Sequence, residues 1–67
     1  MNEVTYTFSR ALHMMRYGGS VMRPICSNEQ AVYSVIDNDL RWKLYESWNS
    51  VSCLDSETIM GSWIEVK

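Results

Sequence analysis

The sequence predicts a single α+β domain over 1–67, an N-terminal helix packed on a small antiparallel sheet. Three observations carry that expectation. Phe8, Ala11, Leu12 and Met15 recur at the i, i+3, i+4, i+7 spacing of one helical face. Two segments rich in β-branched and aromatic residues, 31–36 and 40–48, flank the turn-forming run Asp37-Asn38-Asp39. The length of 67 residues leaves room for one core only.

The helix is expected over 8–17. Thr7 is placed to cap its first turn, with Tyr6 and Ala11 as the apolar staple around the cap. Gly18-Gly19 supplies the stop, because glycine enters the left-handed C-terminal conformation without strain. Arg16 suits the negative end of the helix dipole. A short strand over 20–23 follows, and Pro24 limits its length or places it at a sheet edge. Residues 26–29 read as a loop.

The hairpin is expected to close with a three-residue loop, Asp37 to Asp39. That register pairs Ile36 with Leu40, Ser34 with Trp42 and Val32 with Leu44, and collects an almost wholly apolar face; a two-residue loop is expected to mix the faces. The opposite face then carries Tyr33, Val35, Arg41, Lys43 and Tyr45. An aromatic and basic sheet face of this kind calls for a cover, either a ligand or a partner. Towards the C-terminus, Asp55 or Ser56 caps a short helical turn, Gly61 ends it, and 63–66 forms the last strand, with Trp63 and Val66 on opposite faces. Trp42, Trp48 and Trp63 are each expected in the core.

Composition narrows the function. An apolar content of 46% and an aromatic content of 12% argue against a disordered chain. The net charge of −2 argues against duplex nucleic acid, which calls for a basic excess, yet leaves room for a small anion held by one or two arginines. No apolar run is long enough to span a membrane, and the first residues lack the basic and apolar regions of a secretory signal. A domain of this size buries only about 60% of its unfolded surface, so support from a metal, disulfides or a partner subunit is expected. Cys26 and Cys53 read as small buried thiols rather than a disulfide.

Catalytic chemistry is not legible. His13 is the only histidine, on the helix beside the apolar stripe, and reads as solvated or half-buried. His13, Cys26 and Cys53 lack the spacing of a zinc site, and Gly18-Gly19 ends a helix instead of opening one as a phosphate loop does. No metal or cofactor is expected, and the chain reads as a binding protein, not an enzyme. Tyr33 and Tyr45 would stack on bases while Arg41 and Lys43 hold phosphates. An ordinary amphipathic sheet surface accounts for the same pattern equally well.

The order of motifs resembles a known family. Phe8, Ala11 and Leu12 on a helix, the break at Gly18-Gly19, the strand Val21-Met22-Arg23, a hairpin, and an ending in which Glu57, Ile59, Trp63, Glu65 and Val66 fit together resemble the small phage anti-defence sponges of the Thoeris and anti-CBASS type. The chain departs from that pattern at Pro24-Ile25, where the family often has a tryptophan, and at Met60 and Ser62, where it has a small and an acidic residue. The resemblance implies a helix on an antiparallel sheet, assembled as a homodimer or homotetramer. It implies a protein that works in the cytoplasm of the infected bacterial host and sequesters cyclic nucleotide immune signals, such as cyclic dinucleotides of the cGAMP kind, without cleaving them. Arg23 matches the family's strand arginine, which adds it to Tyr33, Arg41, Lys43 and Tyr45 as a ligand-binding residue. The alternative for Arg23 is a structural pairing with Glu57 or Glu65. A small inhibitor that binds a host or phage protein through the same sheet face is the alternative function.

Overall fold

The computed structural model describes residues 4–26 and 30–66. It is a small α+β fold in which a helix lies on one face of a five-stranded antiparallel sheet. Helix α1 spans Phe8–Gly18, and the Thr7 hydroxyl accepts the Arg10 backbone N–H at 3.2 Å. That bond satisfies one of the first-turn donors that have no partner within the helix. Gly19 closes the other end at φ 67°, the left-handed geometry that glycine adopts without a Cβ clash. Thr7, Gly19 and Arg16 therefore take their expected places.

The strands are β1 (Val21–Pro24), β2 (Val32–Ile36), β3 (Asp39–Lys43), β4 (Asn49–Ser50) and β5 (Trp63–Val66), with helix α2 (Ser56–Met60) before the last. Their order across the sheet is β4-β3-β2-β1-β5. β1 thus lies inside the sheet and not at its edge. Pro24 is tolerated there because its partner Trp63 directs both its N–H and its C=O the other way, to Tyr6, each at 2.8 Å. Pro24 and Trp63 form a non-hydrogen-bonded pair, so the missing proline N–H interrupts nothing between these strands. The expected loop at 26–29 is described only at Cys26, which lies in a turn; 27–29 fall outside the described residues.

The hairpin register corrects the expectation. The loop holds two residues, Asp37 and Asn38, at φ 54° and 61°. Positive φ at both central positions is the type I′ turn, whose twist matches that of the flanking strands. Asp and Asn tolerate this region better than other non-glycine residues. Ile36 consequently pairs with Asp39, Val35 with Leu40, Ser34 with Arg41, Tyr33 with Trp42 and Val32 with Lys43. A one-residue slip moves every β2 side chain to the other face. The faces are not mixed: Tyr33 and Val35 join Leu40 and Trp42 beneath the helix, and Val32, Ser34 and Ile36 move to the open side. β3 also ends at Lys43, and the chain turns back through 44–48 into the short β4, where a single strand over 40–48 was expected.

The core is built by Ala11 and Met15 of α1 against Met22 and Trp63, all fully buried, with Tyr6, Phe8, Leu12, Met14, Tyr33, Val35 and Leu40 packed around them. Trp63 is its centre. Its ring meets Phe8 at 5.5 Å and Tyr33 at 5.2 Å, and its indole N–H donates to the Thr58 carbonyl at 3.0 Å. Trp42 and Trp48 are only partly buried, because α1 crosses β1, β2 and β5 and leaves the β3–β4 end of the sheet with less cover. Asp55 caps α2, accepting the Thr58 N–H at 2.9 Å. Gly61 is required where that helix ends, since a Cβ there would stand 2.9 Å from the Glu57 carbonyl oxygen. Cys26 and Cys53 are free and exposed, not buried: both sit in segments between strands. No helix among the described residues is long and apolar enough to cross a membrane.

Candidate functional site: a cationic open sheet face

Side chains alternate along each strand, so the pairings fix both faces of the sheet. α1 lies over Met22, Tyr33, Val35, Leu40 and Trp63. The opposite face presents Val21 and Arg23 from β1, Val32, Ser34 and Ile36 from β2, Asp39, Arg41 and Lys43 from β3, and Ile64 and Val66 from β5. Among the described elements neither helix packs on it. Three of the six Lys and Arg residues therefore share one surface of a chain whose net charge is negative.

Of the five residues expected to bind ligand, Arg23, Arg41 and Lys43 come together and two do not. Tyr33 is withdrawn to the helix side, where its ring meets Trp63 edge-on. Tyr45 lies past the end of β3 in the 44–48 loop, 85% exposed. The reason in both cases is the register and length of β3. Arg23 is one position beyond the Met22–Tyr33 pair and so lies across from Val32, whose other neighbour is Lys43. Arg23 and Lys43 thus flank Val32 at two strand spacings, roughly 10 Å along the backbone. No described carboxylate pairs with Arg23; Glu57 and Glu65 form no ion pair with it, and Glu65 instead accepts the Ser20 hydroxyl at 3.2 Å.

Arg41 and Lys43 are each held by one contact. The Arg41 Nε is 3.3 Å from Asp39 Oδ2, close enough for Coulomb attraction but off the hydrogen-bond line, so that its N–H is buried without an acceptor. Asp39 Oδ2 already accepts the Ser50 hydroxyl at 2.7 Å, which orients it towards β4. The Lys43 ammonium lies over the Trp48 ring, 4.8 Å from its centroid. That cation–π contact contributes about 0.5–1 kcal/mol at a site open to water. Trp48, expected in the core, instead supports a cation on the open face. Sequence reading missed this aromatic partner, because a single strand over 40–48 sets Lys43 and Trp48 on opposite faces.

A buried polar residue also lies on this face. Ser34 is 6% exposed and donates its hydroxyl to the Ser20 carbonyl at 2.9 Å, tying β2 to the start of β1 behind the cations. The surface combines fixed positive charge with aliphatic Val21, Val32, Ile36 and Ile64, a pairing suited to an anion that also carries flat apolar parts. No group of three His, Cys, Asp or Glu side chains is placed to hold a metal ion among the described residues. His13 is exposed on α1, its ring tilted against that of Tyr17 with centroids 4.8 Å apart. Comparison with known proteins returns no matching family model, curated protein or solved structure.

Proposed function

We propose that this protein is a phage immune-evasion sponge that binds cyclic nucleotide defence signals, most simply cyclic dinucleotides, and holds them without cleaving them. The observation that carries the reading is the convergence of Arg23, Arg41 and Lys43 among aliphatic side chains on the one sheet face that α1 does not cover. A cyclic dinucleotide carries two phosphate charges and two flat bases. Arginine meets phosphate with two parallel N–H donors, lysine meets it as a point charge, and the aliphatic positions between them accept base surface. The sequence resemblance to anti-defence sponges points the same way. A second copy of the chain completes the pocket, as a homodimer or homotetramer, and encloses a ligand that a single flat sheet would leave half in water. Sequestration needs affinity and abundance, so no nucleophile or general base is assigned. In the infected bacterial cytoplasm such a protein would lower free signal until the defence effector stays silent.

The test is release of captured ligand. Protein incubated with a panel of cyclic dinucleotides, washed and heat-denatured should return the nucleotide intact by chromatography. Altered nucleotide would identify an enzyme. No nucleotide from any member of the panel would discard the sponge reading and favour an inhibitor that docks on a protein through this face. Arg23→Ala should keep the melting temperature and weaken binding by about 1.5–3 kcal/mol, the range for a hydrogen bond to a charged group.

A further inference from the structure

Helix α2 leaves its apolar residues in water. A helix this short is not stable by itself, and such a turn normally forms because one apolar side is buried. α2 buries none of its residues. Met60 is 84% exposed and Ile59 is exposed as well, whereas Thr58 is the half-buried position. Polar bonds hold the turn instead. Asp55 caps it, the Thr58 carbonyl accepts the Trp63 indole N–H at 3.0 Å, and the Glu57 carbonyl accepts the Gly61 N–H at 2.9 Å. The Cys26 thiol donates to the same Glu57 carbonyl at 3.5 Å, and a Cβ on Gly61 would stand 3.3 Å from its sulfur. The chain just past β1 therefore lies against the end of α2. There the Ile25 N–H donates to the Ser62 carbonyl at 2.9 Å, and the Ile25 side chain is exposed too. Three large aliphatic side chains thus stand in water on one corner of the fold, and backbone and capping bonds fix that corner.

The charge carried by this part of the chain has one sign. From Leu44 to Val66 the sequence has Glu46, Asp55, Glu57 and Glu65 and no lysine or arginine. Among the described residues no cation pairs with Asp55 or Glu57. An apolar centre with a charged rim is the anatomy of a protein-binding patch, and methionine is enriched in such centres because its unbranched chain adapts to what covers it. The negative rim selects the sign of the partner. It attracts lysine and arginine and repels nucleic acid and anionic lipid, both of which present phosphate. A turn already fixed by its own bonds also loses little freedom when it is covered.

We propose that the α2 corner, with Ile25, Ile59 and Met60 as its apolar centre and Asp55 and Glu57 as its rim, docks a basic amphipathic segment of a partner protein. The surface is opposite in sign to the open sheet face, and the proposal stands whether or not that face holds a nucleotide. Fluorescence anisotropy tests it with a labelled helical peptide of leucine and lysine and with its twin, in which glutamate replaces every lysine. The lysine peptide should bind about tenfold more tightly than the twin at low salt, and most of that margin should vanish at about 0.5 M salt, where charges are screened within a few ångströms. Met60→Gln should weaken the lysine peptide about tenfold, the loss typical of a central interface residue. Its melting temperature should be unchanged, because Met60 is exposed in the fold. Glu57→Gln should weaken the peptide by about twofold to fivefold, as for one exposed ion pair. Arg23→Ala should leave it as it is. Equal binding of the two peptides, or binding that survives Met60→Gln at full strength, would overturn the proposal. Light scattering that shows Met60→Gln breaking an oligomer would make the corner an interface between copies. Co-sedimentation with phosphatidylcholine vesicles that Met60→Gln abolishes would make it a lipid contact. Either result would also overturn the proposal.

Discussion

Replacing Trp63 by phenylalanine is the sharpest test of how this core is held. Trp63 is fully buried, sits between Phe8 and Tyr33, and donates its indole N–H to the Thr58 carbonyl. Phenylalanine keeps an aromatic ring against both neighbours but removes roughly 40 Å3 of side chain, which at about 24 cal/mol per Å3 of residual cavity costs about 1 kcal/mol. Loss of the indole hydrogen bond adds about 1 kcal/mol. Thr58 is only partly buried, so its carbonyl is expected to take a water in place of the indole and to add little. The expected total is about 2 kcal/mol. In a domain of this size, each kcal/mol moves the melting temperature by roughly 4–8 °C, so the midpoint should fall by about 8–16 °C in a calorimetric scan. Trp48→Phe, at a partly buried position whose contact is with Lys43, should move it much less. If the two variants melted together, Trp63 would not be the centre of the core, and the packing of α1 on β5 described above would be wrong.

Asn38→Gly should raise stability by about 0.5–1 kcal/mol, because glycine relieves the left-handed backbone of the type I′ turn, and Asn38→Val should lower it by more; denaturant unfolding of both checks the two-residue loop. Asp55 is held below the ordinary Asp pKa by its hydrogen bonds to Thr58, the side chain first and the backbone N–H second. A depressed carboxylate stabilises the fold fully above its unfolded pKa, and that contribution is lost as pH falls through the folded value; the deficit of Asp55→Ala should therefore be present at neutral pH and vanish in strongly acidic melts. Asp39→Asn should tighten binding of an anionic ligand by about 1 kcal/mol, since it removes the negative charge 3.3 Å from Arg41 while leaving an acceptor for Ser50, and a titration beside the wild type reads this directly. Light scattering at micromolar concentration should return a multiple of the chain mass, and a well-folded monomer would count against a site shared between copies.

The parts that were legible in the sequence are those set by near neighbours. Thr7, Arg16 and Gly19 act within one turn of the helix they bound, and Asp55 does the same for α2, so residue type and spacing were enough. β4 was not legible: Asn49 and Ser50 are polar, two residues long and carry no periodicity. The hairpin slip has a different origin. Asp37, Asn38 and Asp39 all favour turns, and local chemistry alone does not say whether Asp39 belongs to the loop or opens the strand. Alternation along a single strand survives such an error. Arg41 and Lys43 share a face in either register, and so two cations of the site were readable from β3 alone. The company they keep depends on the pairing across strands, so Tyr33 was placed beside them when Val32 and Ser34 are there.

The same surface has two demands on it, and they reinforce each other. Few of the described side chains are fully buried, and the aliphatic residues Val21, Val32, Ile36 and Ile64 lie outside the helix-covered core. Whatever covers the open face removes apolar area from water and so adds to a stability expected to be only about 3–10 kcal/mol at this length. Under the proposed function the cover is anionic ligand together with a second copy. A ligand at a hundred times its dissociation constant stabilises the folded state by about 2.7 kcal/mol, a large fraction of that margin. The converse holds by linkage. A change that loosens the core, such as one at Trp63, raises the population of unfolded chain and weakens apparent ligand binding without touching Arg23, Arg41 or Lys43. Binding losses in variants of this protein are therefore assigned to the cationic face only when the unliganded melting temperature is unchanged.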